Sequence, residues 1–201
     1  MRQAVRTVKR ENPGLDRRGV LALVTILWSR PVFERRMTAI LLLEAFQPLL
    51  QPADTRFLER LIRESKTWAF VDELAIVIVG PLVERSSDLL RVLDRWAMDD
   101  DFWLRRSAML ALLRPLRRGD GDFARFARYA QSMLPEREFF IRKAIGWVLR
   151  ETSKKRPDLV YRWLLPRGAA ASGVTVREAV KYLSSRQRAD ILDAYASARR
   201  R

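Results

Sequence analysis

The chain has 201 residues, 48% of them apolar, which suits one globular domain with a sizeable core and is not the composition of a disordered chain. Thirty-nine Lys and Arg against 24 Asp and Glu give a net charge of +15, and a charge that large calls for a polyanionic partner. Cysteine and histidine are both absent, which excludes disulfides, thiol nucleophiles, Cys/His zinc sites and histidine general bases.

Arginine supplies nearly all the positive charge. The lysines are Lys9, Lys66, Lys143, Lys154, Lys155 and Lys181. Arginine's planar fork grips phosphate at two points, although a GC-rich genome would also raise the Arg/Lys ratio. The N-terminus lacks the apolar core of a signal peptide. Nor does any segment reach the roughly 18 apolar residues needed to cross a bilayer. Thr38 to Phe46 is apolar but short, and it follows Arg35-Arg36. A cytoplasmic protein is expected.

Taken from the N-terminus, the periodicity is helical almost throughout. Asn12-Pro13-Gly14 breaks a first segment, and Asp16 then caps a second. Trp28 ends an apolar run and is expected in the core. Arg30-Pro31 and Gln51-Pro52 interrupt next, and Asp54 precedes another helical run as its cap. Trp68 and Asp72 follow, four apart and so on one helical face. Spacing alone favours a tryptophan packed between helices and an acid placed in the first turn by the helix dipole. Ala75 to Val79 is the one β-branched run; its flanks are helical, so it is expected to be helical too, with Pro81 kinking or ending that helix.

Trp96 lies in an apolar setting and is expected in the core. Asp101 caps the helix that carries Trp103-Leu104-Arg105-Arg106. The two arginines point about 100° apart, so at most one leads a given face, and the ordinary expectation for them is a solvated basic surface. Past Gly119-Asp120-Gly121 and Pro135 comes Phe139 to Glu151, FFIRKAIGWVLRE. Wound as a helix it sets Lys143, Trp147 and Arg150 on one face and Ile141, Ile145, Val148 and Thr152 on another. The second face suits a core. The first offers cations around an aromatic plane, which suits nucleic acid, unless Trp147 is core and the cations snorkel from it. Lys154-Lys155-Arg156 extends the charge. Thr175 to Glu178 has capping-box spacing, Arg177 and Lys181 form a further basic pair, and Arg199 to Arg201 is a basic tail.

Breakers at these intervals leave about a dozen helices. The expected fold is all-α: a right-handed-type α-solenoid of antiparallel, HEAT-like helical pairs of about 35–40 residues, with a concave basic face. A compact irregular helical domain is the alternative. One domain is expected over residues 1–201.

Four ordered blocks carry a resemblance: TWAFVD (Thr67 to Asp72), FWLRRSAML (Phe102 to Leu110), FFIRKAIGWVLRE and VREAVKYL (Val176 to Leu183). LWSRPVFERRMTAILLL (Leu27 to Leu43) also fits. Together they resemble the DNA alkylation repair family, the AlkD-like DNA glycosylases built from HEAT-like repeats, from about Arg17 to Leu183. Relative to that family the N-terminal helices are expected to be shortened, which bears on substrate affinity more than on the catalytic set.

The resemblance implies a monofunctional glycosylase that hydrolyses the N-glycosidic bond of cationic N3- and N7-alkylated purines in duplex DNA. Trp68, Asp72 and Trp147 match the family's two tryptophans and aspartate near the lesion, and Arg106 and Arg150 match its phosphate-holding arginines. Lys143, Lys154, Arg177 and Lys181 are further DNA contacts from charge and spacing. No cofactor, metal or membrane is implied, and a monomer is expected. The non-catalytic alternative is a DNA- or RNA-binding helical-repeat protein, and a protein-interaction scaffold is a third reading that the charge disfavours.

Overall fold

The computed structural model describes residues 1–198; the basic tail expected at Arg199–Arg201 lies outside the described residues. Those residues are all-helical, without a strand, as expected. The chain divides into two compact units, Met1–Val92 and Leu93–Arg201.

The first unit holds α1 (Arg2–Glu11), α2 (Arg17–Trp28), α3 (Phe33–Ala45), α4 (Thr55–Ser65), α5 (Trp68–Glu73) and α6 (Gly80–Arg85). Asp16 caps α2 as expected, accepting from the Gly19 amide at 2.8 Å. Val20, Val24 and Trp28 recur every four residues and bury one face of α2, which packs on α3 through Ala39 to Leu43. Trp28 is core, as expected. Its indole donates to Glu64 at 2.9 Å, meets the Phe70 ring edge-on and lies under the Arg36 guanidinium.

One expectation fails in this unit. Asp54 does not cap α4. It is buried and accepts from the Gln51 amide at 2.8 Å and from Nε and Nη2 of Arg17, so its carboxylate is spent on tying α2 to the turn before α4. Pro81, expected to kink or end its helix, does not end it. Helix runs on from α5 through a π-helical stretch, Leu74–Val79, into α6 and stops at Arg85. The wider π register removes the tight i−4 fit that a proline ring would violate, so the Ala75 to Val79 run stays helical as expected.

α7 (Leu90–Trp96) spans the division between the units. The second unit continues with α8 (Phe102–Leu110), α9 (Leu113–Arg118), α10 (Phe123–Met133), α11 (Phe139–Ser153), α12 (Pro157–Leu164), α13 (Gly173–Ala179) and α14 (Ser185–Ser197). Trp96 is wholly buried, as expected. Asp101 caps α8 by accepting from the Trp103 amide at 2.9 Å. Gly119, with φ +100°, supplies the left-handed residue that closes α9. At the centre of this unit α11 packs against α8, α9, α12 and α13.

Candidate nucleic-acid interface

In the first unit the connection between α4 and α5 is two residues long. Lys66 takes a left-handed φ of 51° and Thr67 is extended, so Trp68 opens α5 directly. Phe70, Val71, Leu74 and Ala75 face the core. Trp68 does not: it is 54% exposed, so it is not the packed interface tryptophan that spacing favoured. One turn on, Asp72 is 8% exposed, nearly withdrawn from solvent. Burial and the nearby Glu44 carboxylate push the neighbouring Glu73 carboxyl above its usual range.

In the second unit α11 divides its faces as its sequence requires. Ile141, Ile145, Val148 and Thr152 are buried. Lys143, Trp147 and Arg150 share the other face and are partly exposed, so Trp147 is not a core residue. Nor do the cations snorkel freely. Glu178, buried on α13, accepts from Lys143 at 2.9 Å, from Lys181 at 3.0 Å and from Arg150. Those three cations hold its carboxyl at about 2 against the opposing cost of burial. Glu151, also buried, pairs with Arg117 and Lys154 at 2.9 Å each and with Arg150 at 3.3 Å. Its carboxyl is likewise lowered by these partners, Lys154 foremost, against burial.

The Thr175–Glu178 capping box expected from spacing does not form. Ser172 caps α13, and the Thr175 hydroxyl instead donates to the Arg142 carbonyl at 3.0 Å. Glu178 is thereby left for the basic side chains. Spacing assigns Glu178 only the capping-box role and Glu151 none; the i, i+3 spacing of Glu178–Lys181 and Glu151–Lys154 is the signal for their basic partners.

The remaining predicted contacts fall on both sides of the surface. Lys154, Arg177 and Lys181 are exposed, and Lys154 lies 5.0 Å over the exposed Tyr182 ring. Arg105 and Arg106 do not form the solvated basic surface expected of them. Arg105 grips Glu136 with two bonds of 2.8 and 3.0 Å and also donates to the Asp99 and Asp100 carbonyls. Arg106 is only 2% exposed. It donates to the Phe140 carbonyl and lies beside the Phe140 ring, which fixes the first turn of α11. As placed, Arg106 orders α11 from within the protein and does not stand at the surface as a phosphate clamp. Two surface cavities of about 190 and 350 Å³, one beside Arg2 and Glu44 and one beside Lys155 and Arg162, include none of the predicted site residues.

Among the described residues no helix is long and apolar enough to cross a membrane. The fold is shared with solved bacterial proteins. A predicted DNA alkylation repair enzyme from Enterococcus faecalis superposes with a TM-score of 0.81 at 22% identity, covering 92% of this chain and 85% of that one. AlkD2 from Streptococcus mutans superposes at 0.69 with 19% identity, covering 92% and 89%. The protein smu.31 from Streptococcus mutans UA159 gives 0.69 at 18% identity, covering 91% of each. No curated protein matches the chain. The family model described as DNA alkylation repair enzyme matches residues 1–183, most of the length, and the chain belongs to that family.

Proposed function

We propose that this protein is a monofunctional DNA glycosylase that hydrolyses the N-glycosidic bond of N3- and N7-alkylated purines in duplex DNA. The supporting observation is the Trp68–Asp72 pair on α5: an exposed indole one turn before a nearly buried carboxylate, in a strongly basic chain of the DNA alkylation repair family. A pure DNA binder gains nothing from an aspartate there, since it repels phosphate.

The chemistry asks little of the protein. A cationic alkylpurine leaves as a neutral base, so no strong acid is needed at the base. As the bond breaks, the deoxyribose takes on positive charge at C1′. The Asp72 carboxylate offsets that charge and orients a water, accepting its proton as the water adds to C1′. Withdrawal from solvent strengthens both effects, because the local dielectric is lower. Trp68, beside Asp72 on α5, is assigned to packing on deoxyribose or backbone, with a cation–π contribution of about 0.5–2 kcal/mol to the developing cation, and Trp147 in the second unit is assigned to packing on deoxyribose or backbone of the bound duplex. Arg150, Lys143, Lys154, Arg177 and Lys181 are assigned to phosphates, which position the duplex without reading its sequence. Selectivity then follows from the weakened bond of the charged lesion.

The test is incubation with methylated duplex DNA and chromatography of the supernatant. Free N3-methyladenine or N7-methylguanine is expected, with no strand cleavage by the protein itself. Salt-sensitive binding with no base release from any alkylated duplex would identify a non-catalytic binder instead. A Trp68→Ala variant is expected to keep its stability within about 0.5 kcal/mol, because the ring is exposed. It is expected to lose roughly tenfold in base release, the scale of one lost aromatic contact to a cation. A thermal melt and a single-turnover assay check the two halves.

A further inference from the structure

The second unit carries an arrangement that stability alone does not call for. Two carboxylates, Glu178 and Glu151, are buried, while the cations they hold stand outward: Lys181, Arg117, Lys143 and Lys154 have side chains 50%, 46%, 41% and 36% exposed. Arg150 bridges the two acids. Five cations share two anions, so three positive charges stay uncompensated on this surface. Three basic partners per acid satisfy the buried oxygens, but each cation beyond charge balance adds repulsion to the free protein. An arriving polyanion would relieve that repulsion.

A long basic side chain normally loses rotamer freedom when a phosphate fixes it. Here the loss is met in advance, since the ammonium of each lysine is already tied at 2.9–3.0 Å to a buried oxygen. Trp147 shares the α11 face between Lys143 and Arg150, so an aromatic plane lies within the row.

We propose that Glu178 is a positioning residue for DNA: from beneath the surface it holds Lys143, Arg150 and Lys181 as a preformed row for backbone phosphates, and Glu151 does the same for Arg117 and Lys154. The proposal rests on the reading of this protein as one that binds DNA, and it does not depend on base release.

The sign of one measurement separates it from simple charge counting. Glu178→Gln raises the net charge by one, so charge counting predicts tighter binding. Positioning predicts weaker binding. The full chain is titrated with an undamaged duplex by fluorescence anisotropy between roughly 50 and 200 mM salt. Glu178→Gln is expected to bind about 3- to 10-fold more weakly, with a log–log salt slope shallower by about 1–2, as one or two fewer cations engage phosphate. Equal or tighter binding at an unchanged slope overturns the proposal.

Glu178→Asp guards against a variant that does not fold. It keeps the charge but withdraws the carboxylate by one methylene, so charge counting predicts no change and positioning predicts weaker binding. In a Lys143→Ala/Arg150→Ala/Lys181→Ala background the effect of Glu178→Gln is expected to shrink below about twofold, because the residues it acts through are gone. An undiminished effect there assigns Glu178 to the fold and overturns the proposal. A wild-type protein that shows this binding pattern yet releases no base from methylated DNA would overturn the glycosylase reading alone.

Discussion

Asp72→Asn is expected to slow release of alkylated purine by about 10²–10³-fold while duplex binding holds or tightens slightly. Asparagine keeps the size of the side chain and an oxygen acceptor, so a site that needs only a hydrogen bond would survive the change. A site that must offset a positive sugar would not. Removing one preorganised charge-stabilising group typically costs about 2.7–4 kcal/mol of transition-state stabilisation, and that sets the magnitude. The same change removes a negative charge from a protein of net charge +15, so any effect on affinity for undamaged DNA runs in the favourable direction. Single-turnover excision separates this loss from slow product release, and anisotropy reports the binding. Wild-type rates from the variant would remove the carboxylate from the mechanism. Loss of binding and of excision together would instead point to damage to α5, which Phe70 and Val71 anchor in the core.

The fold was largely legible because its signals are local. The α11 stripe, the caps at Asp16 and Asp101 and the core positions of Trp28 and Trp96 all follow from period and side-chain chemistry within a few residues. What was not legible depends on partners far away in sequence. Asp54 looked like a cap, but Arg17, 37 residues earlier, claims both of its oxygens. Arg106 looked like a surface cation until the Phe140 carbonyl, 34 residues on, took its guanidinium. Pro81 looked like a stop because a proline rule assumes α register, and the six residues Leu74–Val79 adopt π. For the candidate site the outcome was similar. Spacing could put Trp68 and Asp72 on one face, but not say that the indole would be exposed and the carboxylate nearly buried. Glu178 reads locally as a capping-box acid and Glu151 as part of a local ion pair; only the packing of α13 on α11 shows the cations that Glu178 gathers.

That packing rests on Gly146, and Gly146→Ala is expected to destabilise the protein by about 1–3 kcal/mol, the usual range for forcing atoms into a closed interface. Helix propensity argues the other way, since alanine is better than glycine inside a helix by about 1 kcal/mol. Geometry decides. A Cβ at position 146 would stand 2.8 Å from the Glu178 Cβ, 3.0 Å from the Thr175 carbonyl oxygen and 3.1 Å from the Thr175 Cα. These are backbone or backbone-fixed atoms of α13, and no rotamer change moves them aside. Relief requires α13 to move off α11, which carries Glu178 away from Lys143 and Arg150 as well. Two losses should therefore appear together: a drop in Tm of roughly 3–10 °C and weaker DNA binding at low salt. Gly19→Ala in α2 is the matched control. Its new Cβ would meet the movable end of Leu15 at 2.7 Å and the Asp16 carboxylate oxygen at 3.3 Å, and no backbone comes as close. That variant is expected to stay within about 0.5 kcal/mol of the parent. If Gly146→Ala melts with the parent and binds DNA equally well, α11 and α13 have room between them, and the close approach is not what holds Glu178 beneath the basic row.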